Sequence, residues 1–366
     1  MKIAILGTRG IPNNHGGFEQ FAEYFSVYLA EKGHEVYVYN SHDHPYQQQI
    51  WNAVNIIHRK DPENSIGTAG QFLYDFNCII DSRKRGFDVI LQLGYTSSSI
   101  WGRLLPSKSL IVTNMDGLEW KRSKYTKPIR RFLKYAETLA VKTSEYLVAD
   151  SIGIKTYLEE KYHKKAEYIA YGAELFSYPS EEVLEQYSVS KYNYNLLIAR
   201  LEPENNIDTI LTGVVKSGSQ PPFLVIGKHE TKYGNYLNEK YKEFDNIQFL
   251  GGIYNLDHLN NLRFYSNLYF HGHSVGGTNP SLLEAMGSHC LIIANDNIFN
   301  RSILGSDAFY FNNAIEVADK LKLMKKNYQE MVQNNVDKIE NEYNWNKINF
   351  KYEQFILECL KEKRID

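Results

Sequence analysis

Residues 271–287 read His271-Gly272-His273-Ser274-Val275-Gly276-Gly277-Thr278-Asn279-Pro280-Ser281-Leu282-Leu283-Glu284-Ala285-Met286-Gly287 and follow an apolar run, Leu268–Phe270. The run reads as a strand and the glycines as a loop. Pro280 suits the first turn of a helix, where the missing N–H of proline is no loss. Strand, glycine-rich loop and helix in that order place backbone N–H groups at a helix N-terminus, where anions are bound. Gly276, Gly277 and Thr278 are candidates to aim such groups at a sugar or phosphate. Glu284, about one turn into the helix, is placed either to accept from two ribose hydroxyls or to serve as a capping or ion-paired acid.

The same alternation runs outward in both directions. Upstream, Leu196–Ala199, Phe223–Gly227 and Ile247–Leu250 read as strands, and Leu291–Ala294 follows; helices are expected near Asp208–Lys216, Asp257–Tyr265, Pro280–Met286 and Ala314–Lys325. A first set precedes them: Ile3–Gly7, Val36–Asn40, Val54–His58, Asp88–Leu93, Leu110–Thr113, Tyr146–Ala149 and Tyr168–Ala170. The helical segment Phe18–Lys32 carries Phe18, Phe21, Ala22, Phe25, Tyr28 and Leu29 on one face. Alternating strands and helices predict an α/β fold with parallel sheets covered on both sides. The pattern stops and restarts at the polar stretch Glu181–Asn195, so two doubly wound domains are expected, with ligands at the carboxyl ends of their strands. The expected division is 1–185, 186–344 and a terminal helix within 345–366.

A chain of 366 residues has room for two domains. A net charge of −2 argues against a dedicated nucleic-acid binder. The 28 tyrosines read as compositional bias. Cys78, Cys290 and Cys359 lie far apart without a CxxC spacing, which argues against a disulfide framework or a thiolate metal site. The opening MKIAILGTRG is too short for a signal-peptide core, and no apolar stretch is long enough to span a bilayer. A cytoplasmic protein is expected.

A second glycine-rich loop follows the first strand, Gly7-Thr8-Arg9-Gly10-Ile11-Pro12-Asn13-Asn14-His15-Gly16-Gly17-Phe18-Glu19. Gly16 and Gly17 lead into a helix and are candidates for pyrophosphate contact, or they serve a turn that needs glycine. The spacing is neither GxGxxG nor a Walker A loop, against a dinucleotide site or an ATPase.

Leu283-Glu284-Ala285-Met286 after its glycine-rich loop, with Ala199-Arg200-Leu201-Glu202-Pro203-Glu204 upstream, resembles family 4 glycosyltransferases. The Gly16-Gly17 loop is similar to that family's N-terminal donor loop. Arg9-Gly10-Ile11-Pro12, His15-Gly16-Gly17-Phe18-Glu19 and Asn114-Met115-Asp116-Gly117-Leu118-Glu119-Trp120-Lys121-Arg122 resemble a bacterial rhamnosyltransferase subgroup that builds capsule and other surface polysaccharides. The resemblance implies a GT-B fold, two Rossmann-like doubly wound domains facing across a cleft. The first binds the acceptor and the second the nucleotide-sugar. The terminal helix, starting near Trp345, is implied to cross back to the first domain.

The resemblance also implies roles. Arg200 matches an arginine that contacts the donor diphosphate, a task that suits a guanidinium. Many relatives have a lysine five or six positions on; here Asn205 and Asn206 stand, and Lys228 is a candidate substitute. Glu284 matches the last acid of an E-x7-E motif whose first acid is replaced by Gly276, a departure that fits a deoxy sugar such as rhamnose. Gly251-Gly252-Ile253-Tyr254 matches a loop that reads the base, with Ile253 and Tyr254 as candidate contacts. Thr278 and Asn279 complete the candidate donor site. Retention of configuration is implied, with the donor phosphate taking the acceptor proton. No separate cofactor is expected.

A leaving diphosphate gathers negative charge that a metal or fixed positive groups must stabilise. The chain has no Asp-x-Asp, so no metal site is expected, and Arg200 with the two helix ends is expected to serve. Asp116, after the strand Leu110–Thr113, is a candidate acceptor-orienting group or base, or an acid satisfied in a turn; Glu119 has a weaker claim. His42-x-His44 and His271-x-His273 have ligand-like spacing without further ligands, and His273 and His15 are instead candidate donors to the sugar or phosphate. Lys121, Arg122, Lys124, Lys127, Arg130, Arg131 and Lys134 occur without an acid among 121–134, alongside Tyr125, Ile129, Phe132 and Leu133. Such a helix suits an anionic membrane surface and a polyprenyl-diphosphate-linked or other lipid-linked glycan acceptor. Peripheral attachment to the inner face of the cytoplasmic membrane is therefore expected, and a solvated face is the alternative. The favoured donor is a dTDP-sugar, dTDP-rhamnose by resemblance. UDP- and GDP-sugars, a nucleotide-sugar epimerase, an NAD-dependent oxidoreductase and a non-catalytic partner remain open.

Overall fold

The computed structural model describes residues 1–14, 16–122 and 124–365. They form two α/β units: Met1–Lys121, Tyr125–Tyr171 and the C-terminal helix from Trp345 make the first, and Arg122–Lys124 with Gly172–Asn344 the second.

The first unit holds β1 (Lys2–Leu6), β2 (Glu35–Ser41), β3 (Ile50–Trp51), β4 (Val54–Arg59), β5 (Val89–Leu93), β6 (Leu110–Asn114), β7 (Tyr146–Ala149) and β8 (Ala166–Tyr168). They pair in the order β3-β4-β2-β1-β5-β6-β7-β8. Every pairing is parallel except that of β3 with β4. The second unit holds β9 (Asn195–Ile198), β10 (Phe223–Ile226), β11 (Ile247–Gly251), β12 (Leu268–His271), β13 (Ile292–Asn295) and β14 (Phe309–Phe311), all parallel, in the order β11-β10-β9-β12-β13-β14. Strands such as Val89–Leu93 and Phe223–Ile226 are buried along their whole length because helices cover both faces of a parallel sheet. In each sheet the order of connection reverses once, between β1 and β5 and between β9 and β12. At that point the loops beyond the carboxyl ends diverge and leave room for a ligand.

The helix Gly17–Glu31 buries Phe21, Ala22, Phe25 and Leu29. The C-terminal helix Trp345–Ile365 packs on it. Trp345 stacks on Tyr24 at 4.4 Å between ring centroids, and Tyr352 meets Phe21 at 4.6 Å. Ile348 and Ile356 are fully buried there, each contributing roughly 1.5–3 kcal/mol. Tyr28 donates to Glu353 at 3.0 Å and the Asn114 amide donates to the Tyr352 hydroxyl at 2.8 Å.

The structure corrects several expectations. The chain enters the second unit at Gly172, ahead of the expected 185/186 boundary. The polar stretch after it is pinned to that unit: Phe176 N–H donates to Gly287 O, Ser180 N–H to Asn261 Oδ1 and Tyr194 OH to Leu262 O. The last strand of the first unit is Ala166–Tyr168, not Tyr168–Ala170. The helix from Ala314 stops at Lys320, and Lys325–Asn327 forms a separate short turn in which buried Lys325 donates to Phe264 O. Strands β3 and β14 were not anticipated. Among the described residues no helix is long and apolar enough to cross a membrane.

Candidate functional site

In the first unit the glycine-rich loop leaves β1 at its carboxyl end. Gly10 has φ +127°, and a Cβ there would fall 2.3 Å from the side chain of Asn40. That buried amide accepts from Ile11 N–H at 3.1 Å and donates to Ile11 O at 2.8 Å, so it splints the loop. Gly16 is the N-cap residue of the helix and Gly17 its first residue. The loop meets its own acids. Glu19, buried in the first helical turn, accepts from Arg9 N–H at 2.8 Å, and its other oxygen lies 3.4 Å from where a Cβ on Gly16 would stand. Glu23 accepts from Asn13 N–H at 2.5 Å, and the Arg9 guanidinium donates to Glu63 at 2.5 Å. His15 lies outside the described residues.

Asp116 follows β6. Its φ of +48° is left-handed, a conformation Asp tolerates better than most residues, and its N–H donates to Asn114 Oδ1 at 2.9 Å. Beyond it, Trp120 donates through Nε1 to Glu137 at 2.9 Å. Glu137 is buried in the helix Lys127–Thr143 and also accepts from Tyr157, Lys161 and Tyr162 at 2.6–2.8 Å. The Asp116–Trp120 turn is therefore tied down on both sides.

In the second unit four loops leave the carboxyl ends of the neighbouring strands β11, β10, β9 and β12. They bring together Arg200, Lys228, Gly251–Tyr254 and His271–Asn279. Arg200 and Lys228 are exposed. Lys228 lies 5.6 Å over the Tyr254 ring, and among the described residues neither cation forms an ion pair with a carboxylate. Tyr254 is exposed and Ile253 half-buried. Among the described residues the N–H groups of Gly276 and Gly277 have no hydrogen-bond acceptor. Two neighbouring backbone N–H groups without an acceptor in the protein make a place for a ligand oxygen.

Neutral groups hold this edge. Asn205 Nδ2 donates to Arg200 O at 2.7 Å and Asn206 Nδ2 to Gly272 O at 2.8 Å. The positions where relatives carry a lysine are thus occupied by structural amides. Asn297 and Asn300 both donate to His273 O, and Ser274 donates to Glu204 O. Asn279 is the N-cap of the helix Pro280–Gly287 and accepts from Ser281 N–H at 2.9 Å, so its side chain is engaged in the fold. Thr278 is buried beside it. Glu284 is ion-paired with Arg263 at 2.5 Å. Arg263 is almost fully buried and donates further to Asn260 at 2.9 Å and Ser281 at 3.3 Å.

Burial pushes the His271 imidazole down to about 3. His273 is pushed well down as well, by burial first and then by His271, Arg122 and Arg200. Both rings are neutral near pH 7. His42 and His44 are engaged in the first unit: Asp61 N–H donates to His42, and His44 Nε2 lies 3.1 Å from Pro12 O.

Residues 179–343 match the family model described as Glycosyl transferases group 1, and residues 103–174 match a domain of unknown function, DUF1972. The second unit carries a glycosyltransferase group 1 domain: the chain is a glycosyltransferase. No curated protein sequence matches it. Among solved structures it is similar in fold to sucrose-phosphate synthase from Thermosynechococcus elongatus, at 15% identity and TM-score 0.82 over 99% of both chains. Anabaena HepE in complex with UDP and glucose matches at 13% identity and TM-score 0.75, over 98% of this chain and 100% of that one. The α,α-trehalose 6-phosphate synthase of Burkholderia multivorans matches at 12% identity and TM-score 0.71, over 100% of this chain and 97% of that one. The fold is GT-B, two Rossmann-like parallel sheets in one chain.

In this glycosyltransferase the residues that sequence reasoning missed are Arg263, Asn205 and Asn206 as supports, and Glu137. An arginine inside the helix Leu256–Phe264 and a glutamate inside a basic helix read as surface charges. The one available signal was the pair of asparagines where relatives carry lysine.

Proposed function

We propose that the chain is a retaining, metal-independent glycosyltransferase that takes a sugar from a nucleoside diphosphate, with dTDP-rhamnose the favoured donor, and passes it to a lipid-linked or surface-polysaccharide acceptor. The observation that carries the reading is the edge of the second sheet, where Arg200 and Lys228 lack carboxylate partners among the described residues and lie on loops that follow neighbouring strands, as do the open N–H groups of Gly276 and Gly277. In transfer the bond from the anomeric carbon to the diphosphate oxygen breaks, the acceptor oxygen bonds that carbon on the same face, and the acceptor proton passes to the departing diphosphate. The two cations and the two amides meet the charge that builds on that diphosphate. Charged hydrogen bonds of this kind contribute roughly 1.5–3 kcal/mol each. Glu284 is assigned the ribose, the Gly251–Tyr254 loop the base, and Asp116 the acceptor hydroxyl.

Rhamnose is supported by the likeness of the Asn114–Arg122 stretch to rhamnosyltransferases and by Gly276. A UDP-sugar is the second reading, favoured by the likeness to HepE, which was determined with UDP and glucose. Thermal-shift measurements against dTDP, UDP and GDP separate them. A nucleotide at 100 times its dissociation constant stabilises by roughly 2.7 kcal/mol. Stabilisation by dTDP is expected; by UDP alone, the second reading holds; by none, the donor site is wrong.

The helix Lys127–Thr143 supports a membrane-bound acceptor. Lys127, Arg131 and Lys134 are exposed with Ile129 and Tyr135 among them, while Leu133, Ala136 and Ala140 face the core. Each cation near an anionic surface contributes about 1 kcal/mol. Flotation with anionic vesicles at low salt tests this, and absence of binding removes the membrane from the proposal.

A further inference from the structure

His273 has two ring nitrogens in different surroundings, and the surroundings decide what each can do. Nδ1 lies 2.7 Å from Asn205 Oδ1. The orientation of that amide is not arbitrary, because its nitrogen donates to the Arg200 carbonyl at 2.7 Å; turned over, it would set oxygen against oxygen. Asn205 therefore presents an acceptor to His273, and Nδ1 must carry the proton. The ring is neutral, held so by burial and by the His271, Arg122 and Arg200 charges, which outweigh a backbone contact with Val275 that favours the charged form. A neutral imidazole with its proton on Nδ1 has a bare lone pair on Nε2.

That nitrogen lies beside Gly276, which has no side chain. A Cβ on residue 276 would stand 3.0 Å from His273 Nε2, and Gly276 has φ +127°, a conformation that side chains rarely adopt. The open N–H groups of Gly276 and Gly277 lie in the same turn. The turn thus offers donors from its backbone and one acceptor from His273.

We infer that His273, fixed in the Nδ1–H tautomer by Asn205, uses Nε2 to accept a hydrogen bond from a hydroxyl of the sugar carried by the bound nucleotide. This rests on the reading of the second unit as a sugar-nucleotide site, and it gives His273 the role of acceptor in place of the expected donor. A diphosphate oxygen carries no proton at neutral pH, and its lone pairs would face that of Nε2. A hydroxyl has a proton to give. Asn205 acts only through the ring and is a positioning residue.

Two measurements test this. Long-range proton–nitrogen correlation spectra of the full chain labelled with nitrogen-15 histidine, assigned with His273→Phe, read the tautomer without any ligand. A bare Nε2 in His273 at pH 7 is expected, and Asn205→Ala should mix the two tautomers while leaving other histidine signals in place. An Nε2–H or a doubly protonated ring overturns the inference. Calorimetry then compares dTDP with dTDP-rhamnose and UDP with UDP-glucose, in wild type and His273→Phe. The extra affinity of the sugar nucleotide over its bare diphosphate should fall about tenfold, the worth of one hydrogen bond whose partner is left unpaired, with the bare diphosphate changed less than about twofold. An equal loss for both ligands overturns it. If wild type binds none of the four while the spectra show the expected tautomer, the sugar-nucleotide reading has failed and the hydroxyl contact with it, but the assignment of Asn205 stands.

Discussion

The two units each carry a glycine-rich loop beyond the carboxyl end of a strand, and they treat charge in opposite ways. In the first, Arg9 is held by Glu63, its N–H by Glu19, and Asn13 N–H by Glu23. The loop is neutralised from within. In the second, asparagines and a serine brace the backbone, and Arg200 and Lys228 meet no carboxylate among the described residues. Glycine content is the same signal in both and does not tell them apart. Charge accounting does: a loop that has already answered its own cations has little left for a diphosphate, while one braced by neutral amides keeps its positive potential for a ligand.

Glu284, the acid of the 271–287 stretch, is itself internally answered, and this gives the largest expected effect. Arg263 is almost fully buried against Glu284, with that carboxylate mostly buried too. Removing one partner strands the other charge, so Glu284→Ala should cost roughly 3–5 kcal/mol in urea unfolding. A loss under about 1 kcal/mol would show that Arg263 reaches water and is not left a stranded charge. Lost transfer in this variant would report stability together with the proposed ribose contact.

Next in size is the contrast between the arginines. Arg200→Ala should remove the proposed arginine–phosphate contact of roughly 1.5–3 kcal/mol, about 10- to 150-fold in kcat/KM, with no change in unfolding midpoint expected from an exposed side chain that has no carboxylate partner among the described residues. Arg9→Ala removes a partly exposed pair with Glu63, about 0.2–1 kcal/mol of stability, and should leave nucleoside diphosphate affinity within about twofold. If Arg9→Ala weakens dTDP or UDP as much as Arg200→Ala does, the contrast between the loops is broken.

Much of this was readable in the chain. The strands Val89–Leu93 and Phe223–Ile226 are continuous apolar runs between turn signals, so the two parallel sheets could be seen before their order was known. The pairs and triplets Ile50–Trp51 and Phe309–Phe311 are too short to rise above background. Arg200 and the Gly276–Gly277 turn stood out because their surroundings are a motif. The supports did not. Arg263 meets Glu284 from 21 residues away across two strand–helix units, and nothing local marks it as buried. Asn205 looked like a missing lysine; only its contact with both Arg200 O and His273 shows that it has a task of its own.

Two buried groups, one in each unit, should also respond to acid in opposite directions. Under the first loop, burial pushes the Asp75 carboxyl up to about 6, Asp61 adding to this while the Ser97 hydroxyl and Arg9 oppose it. In the unfolded chain it ionises near about 3.9. Between those values the folded unit keeps a proton that the unfolded chain has released, so this contribution is full below about 3.9 and is lost as pH rises through about 6. His271 in the second unit has the reverse sign. Its ring is pushed down to about 3, whereas the unfolded ring titrates near about 6.5, so the unfolded chain takes up a proton first and stability present above about 6.5 is lost as pH falls toward 3. His273 adds in the same direction. Acidifying from about pH 6.5 to 4.5 should therefore loosen the second unit more than the first, where His44, pushed down by burial, offsets part of what Asp75 contributes. Amide hydrogen exchange followed unit by unit reads this directly. His271→Leu should flatten the response of the second unit and Asp75→Asn that of the first. Loss of protection in the first unit ahead of the second would mean that the buried histidines reach solvent protons. The neutral ring on which the donor edge depends would then not be secured by burial.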